Sequence, residues 1–294
     1  MANTLLITGA SGYLGSHIAR QARAAWRVVG TTYTQAPVLP EVEAIRLDIR
    51  DPEAVSELMQ AVLPRAVIHT AFDASSPEGM QSVIVQGTRN VALAAASVGA
   101  YMIHMSTDMV FDGEHAPYSP GDPPQPITVY GRAKAQAEQS VARLLSTAAI
   151  VRTSLIYGFA PPDPRTTWVL DSLRKRMPIT LFTDEVRSPI WVEQLSAALL
   201  ELAAGALPGI WHVAGSAPID RYEFGLRLAR AFGEDPSGIT AGLSHDSGTV
   251  RPRNLTLSVD TSLACLRTPL WSVDQVLARQ TRCLSGLPGA TCAV

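Results

Sequence analysis

Short apolar runs alternate with longer amphipathic stretches through the first half of the chain. Six runs have the length and composition of buried strands, over residues 5–8, 27–30, 44–47, 66–70, 101–106 and 149–153. Helices are predicted between them, over residues 12–24, 52–62, 79–97 and 130–145. Strands that alternate with helices at this spacing predict an α/β fold with a doubly wound parallel sheet.

The second half has a looser pattern. Its predicted elements are helices over residues 168–176, 193–204 and 221–232 and a strand over residues 210–213. We expect this half to form a smaller C-terminal substrate lobe over the carboxyl ends of the sheet. The expected division is a dinucleotide-binding domain with the catalytic residues (1–158), a mainly substrate-binding lobe with segments that return to the first domain (159–283), and a flexible tail (284–294).

The composition excludes several classes of protein. The 294 residues are 47% hydrophobic and carry a net charge of −2, which leaves no electrostatic footprint for nucleic acid. The three cysteines are too few for a disulfide framework, and no Cys/His spacing predicts a metal site. Since no apolar run approaches ~20 residues and no leader pattern is present, we expect no membrane association and a cytoplasmic monomer or homodimer.

Three glycines follow the first predicted strand at the spacing G-x-x-G-x-x-G, namely Gly9, Gly12 and Gly15. Glycine permits a sharp turn, and the backbone N–H groups of such a loop approach a pyrophosphate at the start of the next helix. The position of the loop in the first βα unit predicts a Rossmann-type dinucleotide site, with an ordinary glycine-rich turn as the alternative. The loop also supplies three further predicted cofactor contacts, Ser11, Tyr13 and Leu14.

The end of the second strand bears on the choice between NAD and NADP. The segment from Gly30 to Thr34 has no carboxylate for a ribose 2′-hydroxyl and no arginine for a 2′-phosphate. Neutral donors remain there, on Thr31, Thr32 and Tyr33. We therefore predict NADP as the cofactor, with NAD as the alternative.

Two other strand ends extend the predicted cofactor site. Asp48, after the third strand, either contacts the adenine or caps the following turn. Its neighbour Ile49 is also a predicted cofactor contact. The end of the fourth strand adds three further predicted contacts, Thr70, Ala71 and Phe72.

Tyr130 and Lys134 are four residues apart and therefore share one face of a predicted helix. We expect the ammonium to favour the phenolate and to lower the pKa of the phenol from its usual ~10. Tyr130 then serves as the acid when a ketone is reduced and as the base in reverse, while Lys134 also binds the nicotinamide ribose. A surface pair on an amphipathic helix is the alternative interpretation.

Polar residues close the fifth predicted strand at Ser106, Thr107 and Asp108. Because the carboxyl ends of parallel strands face the ligand crevice, Thr107 and Asp108 are predicted substrate contacts beside the tyrosine. A strand-end turn built from these residues is the alternative.

Longer runs resemble a known family. They are Ser-Thr-Asp-Met-Val-Phe-Asp-Gly at 106–113, Val-Tyr-Gly-Arg-Ala-Lys at 129–134, Arg-Thr-Ser at 152–154, and the segments 187–195 and 251–255. With the glycine loop, they resemble the extended short-chain dehydrogenase/reductases over residues 3–280, and within these the dTDP-4-dehydrorhamnose reductase group. The resemblance implies a catalytic triad of Thr107, Tyr130 and Lys134 and reduction of a 4-keto nucleotide sugar by NADPH or NADH.

Three departures from the family pattern bear on the substrate pocket and leave the triad intact. Ile84 stands where the family often has an asparagine, and Leu155 stands where it often has a tryptophan. The fourth strand also ends in His69-Thr70-Ala71 instead of an Asn-Ala-Ala type of sequence.

Two other functions remain open from the resemblance. One is a cofactor-binding regulatory subunit like the β subunit of methionine adenosyltransferase. The other is a sugar epimerase or dehydratase, which is disfavoured because Met109 and not a second carboxylate follows Asp108.

The second half supplies four polar candidates for substrate binding, Arg187, Trp191, Arg251 and Asn254. A guanidinium suits bidentate binding of phosphate, so Arg251 either holds the diphosphate of a nucleotide sugar or forms a loop ion pair. The expected partner is thus a small molecule, a nucleotide sugar.

Overall fold

A seven-stranded parallel sheet forms the centre of the computed structural model, which describes residues 3–34 and 42–284. Its strands are β1 (Thr4–Thr8), β2 (Arg27–Thr32), β3 (Glu43–Arg46), β4 (Ala66–His69), β5 (Tyr101–Thr107), β6 (Ala149–Thr153) and β11 (Gly209–His212). Their spatial order is β11-β6-β5-β4-β1-β2-β3, and every neighbouring pair is parallel. The strand order reverses at β1, which places a ligand crevice at the carboxyl ends of β1 and β4.

Helices cover both faces of the sheet. They are α1 (Tyr13–Ala22), α2 (Pro52–Val62), α3 (Pro77–Gly79), α4 (Thr88–Ser97), α5 (Val129–Leu144) and α7 (Val192–Gly205). Leu5 and Ile7 of β1 pack in the core cluster that contains α1 and α7, whereas Leu6 packs in the cluster that contains α2, α4 and α5. Successive strand residues point to opposite faces, so a continuous apolar run suits a sheet buried on both sides. The predicted α/β doubly wound sheet is confirmed.

The remaining elements of the second half build smaller layers beside the sheet. They are β7 (Ile156–Tyr157), α6 (Pro164–Arg174), β8 (Ile179–Phe182), β9 (Val186–Arg187), β10 (Ile190–Trp191), β12 (Ile219–Asp220), α8 (Arg221–Ala231), β13 (Ile239–Gly242), α9 (Asp260–Cys265) and α10 (Val273–Leu284). Three two-stranded sheets pair β10 with β7, β12 with β9 and β13 with β8. By contrast, α7 and β11 belong to the second half of the chain but pack on or extend the central sheet, so the two halves are not separate in space.

The structure differs from the predicted helices in two places. The stretch predicted as one helix over 79–97 begins with α3, continues as a π-helical segment from Met80 to Gly87 and becomes regular only in α4. Helix α6 begins four residues earlier than predicted, because Asp163 caps it and Pro164 occupies its first position. A proline in the first helical turn costs no hydrogen bond, so Pro164 begins the helix without breaking it.

Two other predictions concern the chain's surroundings and its end. Among the helices of residues 3–34 and 42–284, none is long and apolar enough to cross a membrane. The predicted tail over 284–294 lies outside the described residues, apart from Leu284 at the end of α10.

Helix α5 approaches the turn after β5 closely, at a glycine. Gly131 donates its backbone N–H to Oγ1 of Thr128, the cap of α5. A Cβ atom on Gly131 would lie 2.1 Å from the carbonyl oxygen of Met109. A side chain here would therefore displace the first turn of α5 from the end of β5.

We predict that Gly131→Ala lowers the free energy of unfolding by ~1–3 kcal/mol, because the added methyl overlaps backbone that cannot rotate away. Urea unfolding followed by circular dichroism measures the change. Gly121→Ala is the matched control, since a Cβ on Gly121 meets nothing within 4 Å. Equal stability of the two variants would show that the turn after β5 yields easily.

Candidate active site

Tyr130 lies in the first turn of α5, directly beside the carboxyl end of β5. Thr107 is the last residue of β5, and its side chain is a hydrogen-bond partner of the Tyr130 phenol. The same hydroxyl donates to Oδ1 of Asp108 at 3.1 Å and accepts from the backbone N–H of Met109 at 3.2 Å. The structure therefore brings together the tyrosine and the threonine that the sequence pairs across 23 residues.

Lys134 follows one helical turn later and is almost fully buried. Its Nζ donates to the carbonyl oxygen of Met105 at 3.0 Å and lies 5.8 Å from the ring centroid of Phe72. Burial lowers the pKa of Lys134 to about 8, although the charge of Glu138 opposes the shift. The ammonium is therefore positive at neutral pH but close to its titration.

The pKa of Tyr130 contradicts one sequence-based expectation. Burial raises it to about 12, and the negative charge of Asp108 adds to the rise. The guanidinium of Arg165 and the hydrogen bond from Thr107 oppose the rise without cancelling it. The expectation that the pKa of Tyr130 lies below ~10 is thus wrong for this structure, because desolvation outweighs the nearby positive charges.

Asp108 is buried next to the tyrosine. Its Oδ2 accepts from Oγ of Ser154 at 2.7 Å and lies 3.8 Å from Nε of Arg187. Burial raises the pKa of the Asp108 carboxyl, while Arg187 and the hydroxyl donors oppose the shift. The carboxyl therefore anchors Arg187, a predicted substrate residue, beside the catalytic edge.

Sequence reasoning missed the buried charge pair that fixes α5. Glu138, one turn after Lys134, accepts from Oγ of Ser106 and from Nη2 of Arg152, the latter at 2.9 Å. Side-chain exposure is 1% for Arg152 and 5% for Glu138. Glu138 continues the Tyr130 and Lys134 spacing at i+8, a signal that was visible in the sequence.

The glycine loop has a geometry that fits a phosphate. Gly9 has φ +73°, a conformation that favours glycine, and a Cβ on it would lie 2.9 Å from the backbone of Ala71. Gly12 caps α1 without any side-chain hydrogen bond, so the first N–H groups of the helix keep no side-chain acceptor. Gly15 lies in the first turn of α1, against the backbone of Gly9.

The other predicted loop residues have distinct contacts. Ser11 Oγ lies 3.1 Å from Oγ1 of Thr32, which ties the loop to the end of β2, where Thr31 is also buried. Tyr13 donates its hydroxyl to the carbonyl oxygen of Pro161 at 3.1 Å, and Leu14 packs on the core.

At the end of β4, the hydroxyl of Thr70 donates to the carbonyl oxygen of Thr8 at 2.7 Å, and the side chain of Phe72 is exposed.

An arginine reaches the end of β2 from the next strand, which sequence reasoning missed. Nη2 of Arg50 donates to the hydroxyl of Tyr33 at 2.9 Å, and its guanidinium lies 5.2 Å from the tyrosine ring centroid. The carboxylate of Asp48 accepts hydrogen bonds from the guanidinium and from the backbone N–H of Arg50, so Asp48 caps the turn. Ile49 is buried beneath this turn, where Asn90 donates to its carbonyl oxygen at 3.0 Å.

Three of the four substrate candidates from the second half of the chain bind other residues of the protein. Arg251 pairs with Oε1 of Glu185 at 3.2 Å, which matches the loop ion pair. Trp191 stacks on Trp271 with centroids 6.4 Å apart, and Asn254 accepts from the backbone of Thr256 at 3.0 Å. Only Arg187 joins the cluster around Tyr130, and the roles of the other three stay predictions.

No group of three or more His, Cys, Asp or Glu side chains suited to a metal ion occurs within the part of the chain that the structure describes. The charges at the edge of the sheet come instead from arginine, lysine and single carboxylates.

Comparisons with known proteins agree with this geometry. A family model described as the RmlD substrate binding domain matches residues 3–280. The methionine adenosyltransferase 2 subunit beta of Xenopus tropicalis is 31% identical over 242 residues, which cover 77% of this chain and 71% of that protein. The dTDP-4-dehydrorhamnose reductase of Mycobacterium tuberculosis is 32% identical over 246 residues, covering 80% and 77% respectively.

A solved structure shares the fold. It is a dTDP-4-dehydrorhamnose reductase from Bacillus anthracis in complex with NADP, with a TM-score of 0.83. It is 24% identical and covers 96% of this chain and 99% of its own.

We predict that Arg50→Ala weakens NADPH binding about tenfold and leaves NADH binding nearly unchanged. The reason is that a charge-assisted hydrogen bond to a 2′-phosphate contributes ~1.5–3 kcal/mol, and NADH lacks that group. Fluorescence titration of each cofactor measures the two dissociation constants. Arg143→Ala, at the far end of α5, controls for the loss of one surface charge. An equal loss for both cofactors would assign Arg50 to the fold of the turn.

Proposed function

The chain belongs to the RmlD substrate binding domain family, and on this premise we propose that it is an NADPH-dependent reductase of a keto group, the 4-keto group of a nucleotide-linked deoxysugar. NADH is the alternative reductant. One observation carries the proposal: the half-buried side chain of Tyr130 lies beside Thr107 and one turn from the buried ammonium of Lys134.

The first half of the chain fits the cofactor. The N–H groups at the start of α1 receive its pyrophosphate, since Gly12 offers them no competing side chain. Arg50 and Tyr33 stand where the adenosine 2′-phosphate is recognised. When bound, NADPH supplies the hydride. The B. anthracis reductase, solved with NADP, supports this assignment by its shared fold.

Tyr130 acts as the proton donor. Its raised pKa keeps the phenol protonated at neutral pH, so the proton is present when a carbonyl oxygen becomes an alkoxide. Thr107 orients the phenol oxygen from the end of β5. Lys134 places a positive charge behind the site, which stabilises the phenolate left after proton transfer.

A regulatory role is the second candidate function. It is favoured by the likeness to the methionine adenosyltransferase 2 subunit beta, which is 31% identical, against 32% for the M. tuberculosis reductase. Turnover separates the two candidates: the purified chain is mixed with NADPH and a nucleotide-linked 4-keto sugar, and the loss of NADPH absorbance is followed. Cofactor binding without consumption would favour the regulatory role.

We predict that Tyr130→Phe lowers the rate of hydride transfer at least ~100-fold while NADPH affinity stays within about twofold, because general acid catalysis contributes ~10²–10⁴ in rate. Single-turnover stopped flow gives the rate. Tyr101→Phe is the matched control: it removes a phenol hydroxyl at the opposite end of β5, where that hydroxyl bonds to the carbonyl oxygen of Leu207. Unchanged hydride transfer in Tyr130→Phe would remove the phenol from the chemistry.

We also predict that the rate of ketone reduction is constant from about pH 6 to pH 7.5 and falls as pH rises through about 8. Lys134 has a lowered pKa, so it is charged below about pH 8 and loses its proton above it. Tyr130, with a pKa raised to about 12, keeps its proton throughout that range. The pH profile of single-turnover reduction tests the assignment, and a flat profile between pH 7 and 9 would contradict it.

A further inference from the structure

The side chain of Tyr13 extends from the glycine loop to the segment that follows β7. Tyr13 is the first residue of α1, directly after Gly12, which caps that helix. Its hydroxyl donates to the carbonyl oxygen of Pro161 at 3.1 Å, although the two residues are 148 positions apart. Residues 158–163, here called the α6 approach, lead to the cap of α6. One phenol therefore joins the start of α1 to the segment that positions α6.

A glycine leaves room for this phenol. A Cβ on Gly158 would lie 2.2 Å from the hydroxyl oxygen of Tyr13 and 3.0 Å from Cγ1 of Val192, the first residue of α7. A side chain at position 158 and the hydroxyl of Tyr13 therefore exclude each other. Burial, and then the negative charges of Asp163 and Glu193, raise the pKa of Tyr13. The hydroxyl thus keeps its proton at neutral pH and remains a donor to the α6 approach.

The ring of Tyr13 is held on α1 by its neighbours on the same helix face. Tyr13, His17 and Gln21 are spaced four residues apart and so share that face. The ring centroids of Tyr13 and His17 are 4.9 Å apart, and Nδ1 of His17 lies 2.7 Å from Oε1 of Glu193 on α7. Gln21 donates to the same carboxylate. Because the ring packs on a residue that α7 anchors, the phenol is fixed to the first turn of α1.

The α6 approach is in turn connected to the catalytic edge. Asp163, at its end, caps α6 by accepting from the backbone N–H groups of Arg165 and Thr166. Burial raises the pKa of Tyr130, and the positive charge of Arg165 opposes that rise. The start of α6 is therefore within electrostatic reach of the proton donor. A continuous set of contacts thus runs from the glycine loop to the side of the crevice where the ketone is reduced.

We propose that the hydroxyl of Tyr13 is a positioning group that transmits cofactor binding to the α6 approach. A pyrophosphate bound at the start of α1 fixes the first turn of that helix, and the phenol then holds residues 158–163 in place over it. The transmission itself requires only the cofactor, whereas its consequence for the keto substrate rests on the proposed function. Since coupling between two sites is reciprocal, a bound keto substrate also tightens the binding of NADPH.

Hydrogen exchange followed by mass spectrometry tests the transmission with NADPH as the probe and needs no keto sugar. In the wild type, we expect saturating NADPH to slow amide exchange in residues 9–18 and, about fivefold, in residues 158–167, which is the scale of one hydrogen bond. In Tyr13→Phe and in Gly158→Ala, NADPH should still protect residues 9–18. Its effect on residues 158–167 should be less than twofold, because each substitution removes the phenol oxygen from Pro161.

Each variant has a matched control. Tyr101→Phe also removes a phenol hydroxyl that donates to a backbone carbonyl oxygen, that of Leu207. Gly121→Ala also adds a methyl group, which meets nothing within 4 Å. Both controls should show the exchange pattern of the wild type. Gly158→Ala retains the tyrosine and displaces only the far end of its side chain, so the test remains decisive even if Tyr13→Phe fails to fold.

Equal protection of residues 158–167 in the wild type and in both variants would overturn the proposal. A wild type in which NADPH protects residues 9–18 alone would overturn it as well. With a nucleotide-linked 4-keto sugar, Tyr13→Phe should raise KM about fivefold and change kcat less, and a fall in kcat at constant KM would contradict a positioning role. If the variants lose the protection but no keto sugar is reduced by the wild type, the transmission stands and only the proposed function fails.

Discussion

The buried carboxylate of Glu138 is the contact on which the catalytic edge depends. It joins α5 to the sheet by accepting from Ser106 on β5 and from Arg152 on β6. Taking two charges out of water costs several kcal/mol per ion and is offset only when both are fully hydrogen-bonded. Arg152 meets that condition, since its other N–H groups reach the carbonyl oxygens of Pro120 and Asp122. This buried pair fixes the position of α5 over the strands and therefore also the positions of Tyr130 and Lys134, which lie on the same helix.

Burial then sets the protonation states. The same desolvation that raises the pKa of Tyr130 lowers the pKa of Lys134, because each group is favoured in its neutral form. The phenol is protonated at neutral pH, and the ammonium keeps its charge only up to about pH 8. Asp108 reinforces the protonated phenol and at the same time holds Arg187 from the second half of the chain. A neutral proton donor and a nearby cation are the combination that ketone reduction requires.

The second half of the chain serves both the sheet and the substrate side. β11 extends the sheet beside β6, and α7 packs against α1, where Glu193 accepts from His17 at 2.7 Å. Tyr13 links the glycine loop to Pro161, two residues before the cap of α6. The loop predicted to hold the cofactor and the helix that carries Arg165 are therefore in direct connection.

The sequence by itself determined the sheet, the glycine loop and the spacing of Tyr130 and Lys134, because these follow from local periodicity. The helix predicted over residues 52–62 is α2 with the same bounds, since Asp51 caps it and Pro52 is its first residue. The sequence did not reveal that Arg50 reaches Tyr33 or that Arg251 is already paired with Glu185, because those contacts join residues far apart in the chain.

The direction of the Tyr130 shift was likewise decided by tertiary structure. A neighbouring ammonium is visible in a helical repeat, but the desolvation that raises the pKa comes from tertiary packing, in which Tyr130 lies against the cluster of Ile84 and Val85. The same holds for Arg165 and Arg221, which are 56 positions apart in the chain and line one small pocket because α6 and α8 begin beside it. Local patterns specify which elements form, whereas charge, burial and pairing at the site depend on how those elements pack.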